Sequence, residues 1–119
     1  MTANKISFYG SWLLQIILGL LFLAAGAGKF LAAEVWIAKF SSWGFPQHFY
    51  LLIGLVELAA AVLLFIPRLF NYAIITLTAI MLGAVLTHLV HQEFAEIIRP
   101  IVFLLFLSFL FFLKKKQGG

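Results

Sequence analysis

The groups able to do chemistry in this chain are few: Glu57, Lys29, His88, Thr87, His91 and Gln15. Glu57 stands alone in an apolar run from Leu51 to Ile66. A carboxyl group at the centre of a membrane span costs about 2.5–3.5 kcal/mol on insertion scales, so an intramembrane carboxyl is a functional candidate by default. Such a group can hold a proton, pair with a cation or hydrogen-bond the polar head of a ligand. Lys29, at the end of the first apolar run, can bend its stem inward to meet Glu57 or snorkel outward to the headgroups. The sequence leaves both open. It also leaves open a purely structural Glu57, hydrogen-bonded to Gln15 or to a threonine hydroxyl across a bundle.

Residue types exclude the familiar chemistries. The chain has no cysteine, so it cannot exchange disulfides or hold an iron–sulfur cluster by thiolates. Two methionines and three histidines are too few soft ligands for a metal site. His88 and His91 share one helix and cannot clamp a planar macrocycle from both sides, and His48 lies at the outer mouth. No phosphate-binding glycine loop and no hydrolase triad is legible. The chain reads as lacking a catalytic constellation of its own, with no required cofactor.

Helical spacing places the exceptional residues on common faces. Gln15, Gly19, Phe22, Gly26 and Lys29 follow steps of three and four, one face of a helix. Gln47, Tyr50, Gly54, Glu57 and Ala61 form a second such face, and Thr76, Ala79, Gly83, Thr87 and His91 a third. His88 lies about a third of a turn away from that third face. Small residues let helix backbones approach in lipid, and polar side chains prefer a protein neighbour to an acyl chain. These three faces are expected to point at one another, with Phe22 lining any gap between them.

The elements that carry these faces are membrane spans. The 119-residue chain is 65% apolar and 10% charged, against about 45–50% and about 25% in soluble domains. Four runs, about 8–29, 47–66, 70–91 and 97–113, each approach or pass the roughly 20 residues that cross a bilayer as a helix. The expected fold is all-α: an integral membrane four-helix bundle forming a single domain over 1–119. The first run is longer than the roughly 7–15-residue core of a signal peptide, so it reads as a span. Pro67 removes an N–H that a continuing helix needs, making spans two and three a tight antiparallel hairpin. The link from Leu31 to Pro46 mixes Trp36, Phe40 and Trp43 with charges. It reads as a short interfacial segment with its tryptophans at headgroup level, in preference to a lid over a cavity. Span four, rich in phenylalanine (Phe103, Phe106, Phe109, Phe111, Phe112), reads as facing lipid or a partner.

Basic residues set the orientation. Lys5, Arg68 and Lys114 to Lys116 fall on one side of a four-span bundle, while Lys29, Lys39 and Arg99 on the other are balanced by Glu34, Glu93 and Glu96. The positive-inside rule then puts both termini in the cytoplasm. The lysine run serves as a topology anchor against anionic lipid, not as a nucleic-acid site.

The text also resembles a known family. Gly19-Leu20-Leu21-Phe22-Leu23 with Ala25-Gly26-Ala27-Gly28-Lys29 is similar to the first span of the DoxX family. Trp43-Gly44-Phe45-Pro46, Gly54-Leu55-Val56-Glu57-Leu58 and Leu63-Leu64-Phe65-Ile66-Pro67 resemble its second span, and Met81 to Leu89 its third. The resemblance implies a four-helix protein of the bacterial inner membrane. It also implies a link to membrane oxidoreductase systems, including a thiosulfate:quinone oxidoreductase subunit and complexes concerned with oxidative stress. The family's glycine–lysine, buried glutamate and third-span histidine map onto Lys29, Glu57 and His88. The lack of cysteine separates this chain from relatives that handle thiols.

The polar face and the resemblance together point to an auxiliary subunit of a membrane redox system, with a small-ligand pocket around Glu57 and quinone as the candidate ligand. The expected surroundings are the lipid bilayer and other membrane subunits or further copies of this chain. A small proton-coupled transporter is one alternative, although comparable four-span exchangers carry their carboxylate in the first span. A purely structural subunit of a larger membrane complex, docking through the phenylalanine-rich span, is another.

Overall fold

The computed structural model describes residues 3–46 and 48–118, with side chains over 5–46 and 48–115. Gln47, expected on the polar face of span two, lies outside the described residues, as does the side chain of Lys116. The chain folds as α1 (Ala3–Leu31), α2 (Ala33–Ser42), α3 (Phe49–Leu63), α4 (Phe70–Val90) and α5 (Ile98–Gly118), with single 3₁₀ turns at Pro67–Leu69 and Phe94–Ile97. Among the described residues there is no strand. α1, α3, α4 and α5 form a ring in which α1 packs on α3 and α5, and α4 on the same two helices. Lys114 Nζ stands 4.3 Å from the centroid of the Trp12 ring, so the N-terminal part of α1 and the C-terminal part of α5 share one end.

Among the described residues three helical segments are long and apolar enough to cross a membrane: Lys5–Leu31, Pro67–Val90 and Phe94–Lys115. Most of their surface is unburied, with 17–33% of each apolar window covered by protein. In water that would leave an outward-facing greasy surface far larger than a soluble monomer exposes; in lipid it is the normal state. This is an α-helical membrane bundle. The second span corrects the expectation. α3 has only 15 helical residues, about 22 Å at 1.5 Å per residue, short of a ~30 Å hydrocarbon layer. The expected stretch 47–66 shrinks because the helix unwinds at Leu64 before Pro67. Ile66 is driven to an extended conformation (φ −105°, ψ 110°), as the residue before a proline usually is. The carbonyl freed at Leu64 has no helical partner, and bare backbone is not tolerated in lipid. Gln15 supplies one: its Nε2 donates to Leu64 O at 2.5 Å.

α2 turns back on the bundle through two different corners. No glycine or proline marks the first, at Ala32. The second is a Schellman closure, with Gly44 N–H donating to Ser41 O and Phe45 N–H to Phe40 O, both at 3.0 Å. Gly44 takes φ 84° there, a conformation only glycine adopts cheaply. The Phe40 and Phe45 rings add the hydrophobic contact of that motif, 5.5 Å between centroids.

The core fills the half of the bundle nearer the chain ends. Leu18, Ala61, Leu64, Ala73, Leu77, Leu107 and Leu110 are fully buried there. The face expected on α1 is the one that packs: Gln15, Gly19, Phe22, Gly26 and Lys29 are all buried. So is the face on α3, with Tyr50, Gly54, Glu57 and Ala61. The face expected on α4 does not pack. Phe70, Ala73, Ile74, Leu77 and Met81 form its buried seam, while Ala79, Gly83 and His91 are exposed. Small residues draw helices together only where another backbone stands opposite, and a Cβ built on Gly83 meets nothing within 4 Å. On α5, Phe106, Phe109, Phe111 and Phe112 are exposed as expected, but Phe103 turns inward onto Phe22, ring centroids 5.0 Å apart.

Candidate functional site

Beyond the core, toward the α2 end, the bundle opens into a cavity of about 550 Å³. Its floor is the Phe22–Phe103 contact, its walls come from α1, α3, α4 and α5, and α2 with the Trp43–Phe45 link lies across it. Two glycines set its deepest feature. A Cβ on Gly26 would stand 2.8 Å from Gly54 O, and one on Gly54 would stand 3.2 Å from Gly26 O. α1 and α3 therefore touch backbone to backbone, and one turn from that contact lie Lys29 and Glu57. The lysine bends inward instead of snorkelling: Lys29 Nζ is 2.5 Å from Glu57 Oε1, with the two side chains 7% and 2% exposed. The contact is a buried, charge-assisted ion pair in which the Lys29 ammonium is the partner of Glu57 Oε1. The ammonium also sits 4.3 Å from the centroid of Trp36, whose ring has Lys39 Nζ at 4.7 Å as well. A cation over an indole face is attracted by the ring quadrupole, so Trp36 helps hold Lys29 over the cavity.

A second polar cluster ties the cover down. Trp43 Nε1 donates to Glu93 Oε1 at 3.0 Å, and His88 Nδ1 meets the same oxygen at 2.8 Å. The Trp43 and His88 rings stand edge to face, 5.5 Å apart. Glu93 reaches this place because α4 also ends in a Schellman closure, with Gln92 at φ 59° and Glu93 N–H donating to His88 O at 2.8 Å. The hydrogen bond from His88, then that from Trp43, holds the Glu93 carboxyl below its ordinary range. A depressed carboxyl contributes stability above its unfolded value, about 4.3, and loses it as the pH falls through the lower folded one. With Trp12 and Trp36 replaced by phenylalanine, Trp43 is the sole tryptophan and can be excited selectively over the three tyrosines. Its emission maximum should red-shift once the pH falls below about 4.3, as Glu93 is protonated and the cover loosens. The same red-shift in Glu93→Gln would mean that Glu93 is not the latch.

Of the residues singled out by sequence, Lys29, Glu57, Thr87 and His88 line this one cavity. Thr87 spends its hydroxyl on Gly83 O at 2.8 Å, in its own helix. Gln15 and His91 are not brought to it: Gln15 caps α3 at the far end of Glu57, and His91 Nδ1 bonds Thr87 O on the exposed surface. α2 is the short segment expected between spans one and two, and it also covers the cavity. Trp36, Phe40 and Trp43 face the cavity, because Phe40 packs on Phe45, Phe49 and Tyr50 at centroid distances of 5.5–6.5 Å. Sequence reasoning counted Glu93 only as a charge. The signal available was its place five residues after His88, the spacing that a Schellman end brings face to face.

The family model described as DoxX-like family matches residues 13–110, a stretch that contains every residue lining the cavity. The chain belongs to the DoxX-like family. No curated protein and no solved structure matches it. Within this DoxX-like chain, the matched segment also takes in both latch residues, Trp43 and Glu93, and the Gly26–Gly54 contact.

Proposed function

We propose that this DoxX-like protein is an auxiliary subunit of a membrane redox system of the bacterial inner membrane, holding a small lipid-soluble ligand of the quinone class in the cavity. The observation that carries this reading is the Lys29–Glu57 pair, buried in a cavity whose walls also carry Phe22, Phe49, Ile53 and Phe103. A volume of about 550 Å³ lies within the roughly 300–1,000 Å³ of small-molecule pockets, whose few polar groups fix the ligand's orientation. An apolar ring and tail suit Phe22, Phe49, Ile53 and Phe103, and Lys29 is placed to donate to the head. Without cysteine to hold a cluster, the role is binding and presenting the ligand to a partner. The exposed Phe106, Phe109 and Phe112 of α5 offer that partner a face.

Proton-coupled transport through Glu57 fits less well, because the packed core of Leu18, Ala61 and Leu64 closes the bundle below it. Lys5, Arg68, Lys114 and Lys115 favour a cytoplasmic location for both termini, which puts the cavity in the outer half. The chain has no native cysteine, so Ser42→Cys should label from the outer face alone; labelling only from inside would reverse the orientation. For the ligand, purified protein in mild detergent should gain thermal stability with added decylubiquinone. The gain is about 2.7 kcal/mol at a concentration 100 times Kd. An unchanged Tm, together with no extractable lipid-soluble molecule, would sink the proposal.

A further inference from the structure

From the charges in the cavity wall, we infer that the ligand's head is an ionised acid, a carboxylate or an acidic enol, seated beside Trp36 with Lys39 as its counter-charge. This rests on the reading of the cavity as a ligand site and narrows it to a chemical class, an amphiphile with one negative charge in its head. The lysines, arginine and glutamates of the wall are Lys29, Lys39, Arg99, Glu57 and Glu96. Four of them are paired. Lys29 meets Glu57 at 2.5 Å, and Arg99 faces Glu96 at 3.9 Å, both more than half exposed at the mouth. His88, the remaining titratable residue of the wall, is held by Glu93 at 2.8 Å. Lys39 has no carboxylate partner among the described residues.

Lys39 does not simply snorkel away from the bundle. It is half-buried, and its Nζ stands 4.7 Å from the centroid of the same Trp36 ring that Lys29 Nζ approaches to 4.3 Å. The indole attracts both ammonium groups, but the two repel each other, and Glu57 neutralises only one of them. An anionic oxygen beside Trp36 answers the second charge and accepts hydrogen bonds from it. A neutral head leaves that charge unanswered, and a cationic head adds to the repulsion. A second negative charge on the head would itself lack a partner, so a single one matches the wall. Because Lys39 is only half-buried, its partner is not fully stripped of water, which keeps the desolvation cost below that of a deep pair. An ionised hydroxyquinone and a fatty acid both carry such a head, and the test separates them.

The test is equilibrium dialysis against the purified full-length protein in an uncharged detergent, with protein-free micelles as the blank. It is run at about pH 8.5, well above the ordinary carboxyl range, and visible absorption confirms that the hydroxyquinone is ionised. One pair is 2-hydroxy-3-undecyl-1,4-naphthoquinone and its methyl ether; the other is dodecanoate and dodecanol. A hydrogen bond to a charged group is stronger than a neutral one by enough that at least one anion should bind about ten-fold tighter than its neutral partner. Lys39 stands outside the buried core, so Lys39→Gln should keep the wild-type circular dichroism while the preference falls to about one-fold. Lys39→Arg should retain it, as should Arg99→Gln, whose charge already faces Glu96. Preferences below about three-fold for both pairs, or a preference undiminished in Lys39→Gln, overturn the inference. A naphthoquinone ether bound as tightly as its acid, with dodecanoate no better than dodecanol, overturns it while leaving the quinone reading intact. Preference for dodecanoate with neither naphthoquinone bound removes the quinone reading and keeps the acidic head.

Discussion

Lys29→Met alone should destabilise the protein by about 3–5 kcal/mol, the usual cost of leaving one partner of a buried ion pair uncompensated. Lys29→Met combined with Glu57→Met should restore wild-type stability or exceed it. The measurement is unfolding in mixed micelles under increasing dodecyl sulfate, followed by circular dichroism. The logic lies in the surroundings of the pair. Lys29 and Glu57 are almost fully buried and sit beside a close backbone contact between Gly26 and Gly54. Glu57, 2% exposed, is left without a counter-charge when Lys29 is removed. Their mutual attraction offsets desolvation without exceeding it by much, so two apolar side chains of similar length fill the site at no net loss. A double variant as unstable as the single one would mean that the pair organises the fold beyond its own charge balance. A silent Lys29→Met would mean that the two groups do not meet. The same double variant should bind the cavity ligand more weakly. A pair that contributes little to stability yet sits at the end of a cavity is explained by function, since its removal costs recognition while the fold survives.

How much of this was legible in the sequence depended on which physical signal carried it. The faces of α1 and α3 were legible because spacing by three and four is a direct consequence of helix geometry, and both contain a residue lipid would reject. Pro67 announced the α3–α4 turn through its missing N–H. The fate of Lys29 was not legible, since stem length permits either direction and only the closeness of α1 and α3 decides. The covering role of α2 was not legible for a related reason. A short amphipathic helix with tryptophans has one pattern whether or not a cavity lies beneath its aromatics, and the Schellman corner at Gly44 is what turns them onto one. On α4, Ala79 and Gly83 looked like a packing seam; smallness marks a seam only if a backbone faces it, and the cavity does. Glu93 was hidden because its partners, Trp43 and His88, come from separate parts of the chain and meet only after two helix ends have closed.

The Gly26–Gly54 contact makes the second large prediction. Gly26→Val should cost about 3 kcal/mol or more, and Gly26→Ala up to about 2, whereas Gly83→Ala should be neutral or stabilising by up to about 1 kcal/mol. All three changes add a Cβ to a helix interior. Alanine gains about 1 kcal/mol over glycine in helix propensity, so the sign at each site is decided by what the new carbon meets. At Gly83 it meets nothing within 4 Å, and propensity wins. At Gly26 it lies 2.8 Å from Gly54 O and 3.0 Å from the Leu58 backbone nitrogen. Backbone atoms cannot swing aside as a side-chain tip can, so α1 and α3 must part. Overpacking of this kind costs typically 1–3 kcal/mol, enough to outweigh the propensity gain, and valine adds bulk while forfeiting most of that gain. Parting the helices also pulls Lys29 from Glu57, so Gly26→Ala should weaken ligand binding even where the protein still folds. Gly83→Ala narrows the cavity from its opposite wall without touching the pair, so it tests space alone. Equal destabilisation by Gly26→Ala and Gly83→Ala would show that α1 and α3 do not meet backbone to backbone, and the placement of the ion pair would fall with that contact.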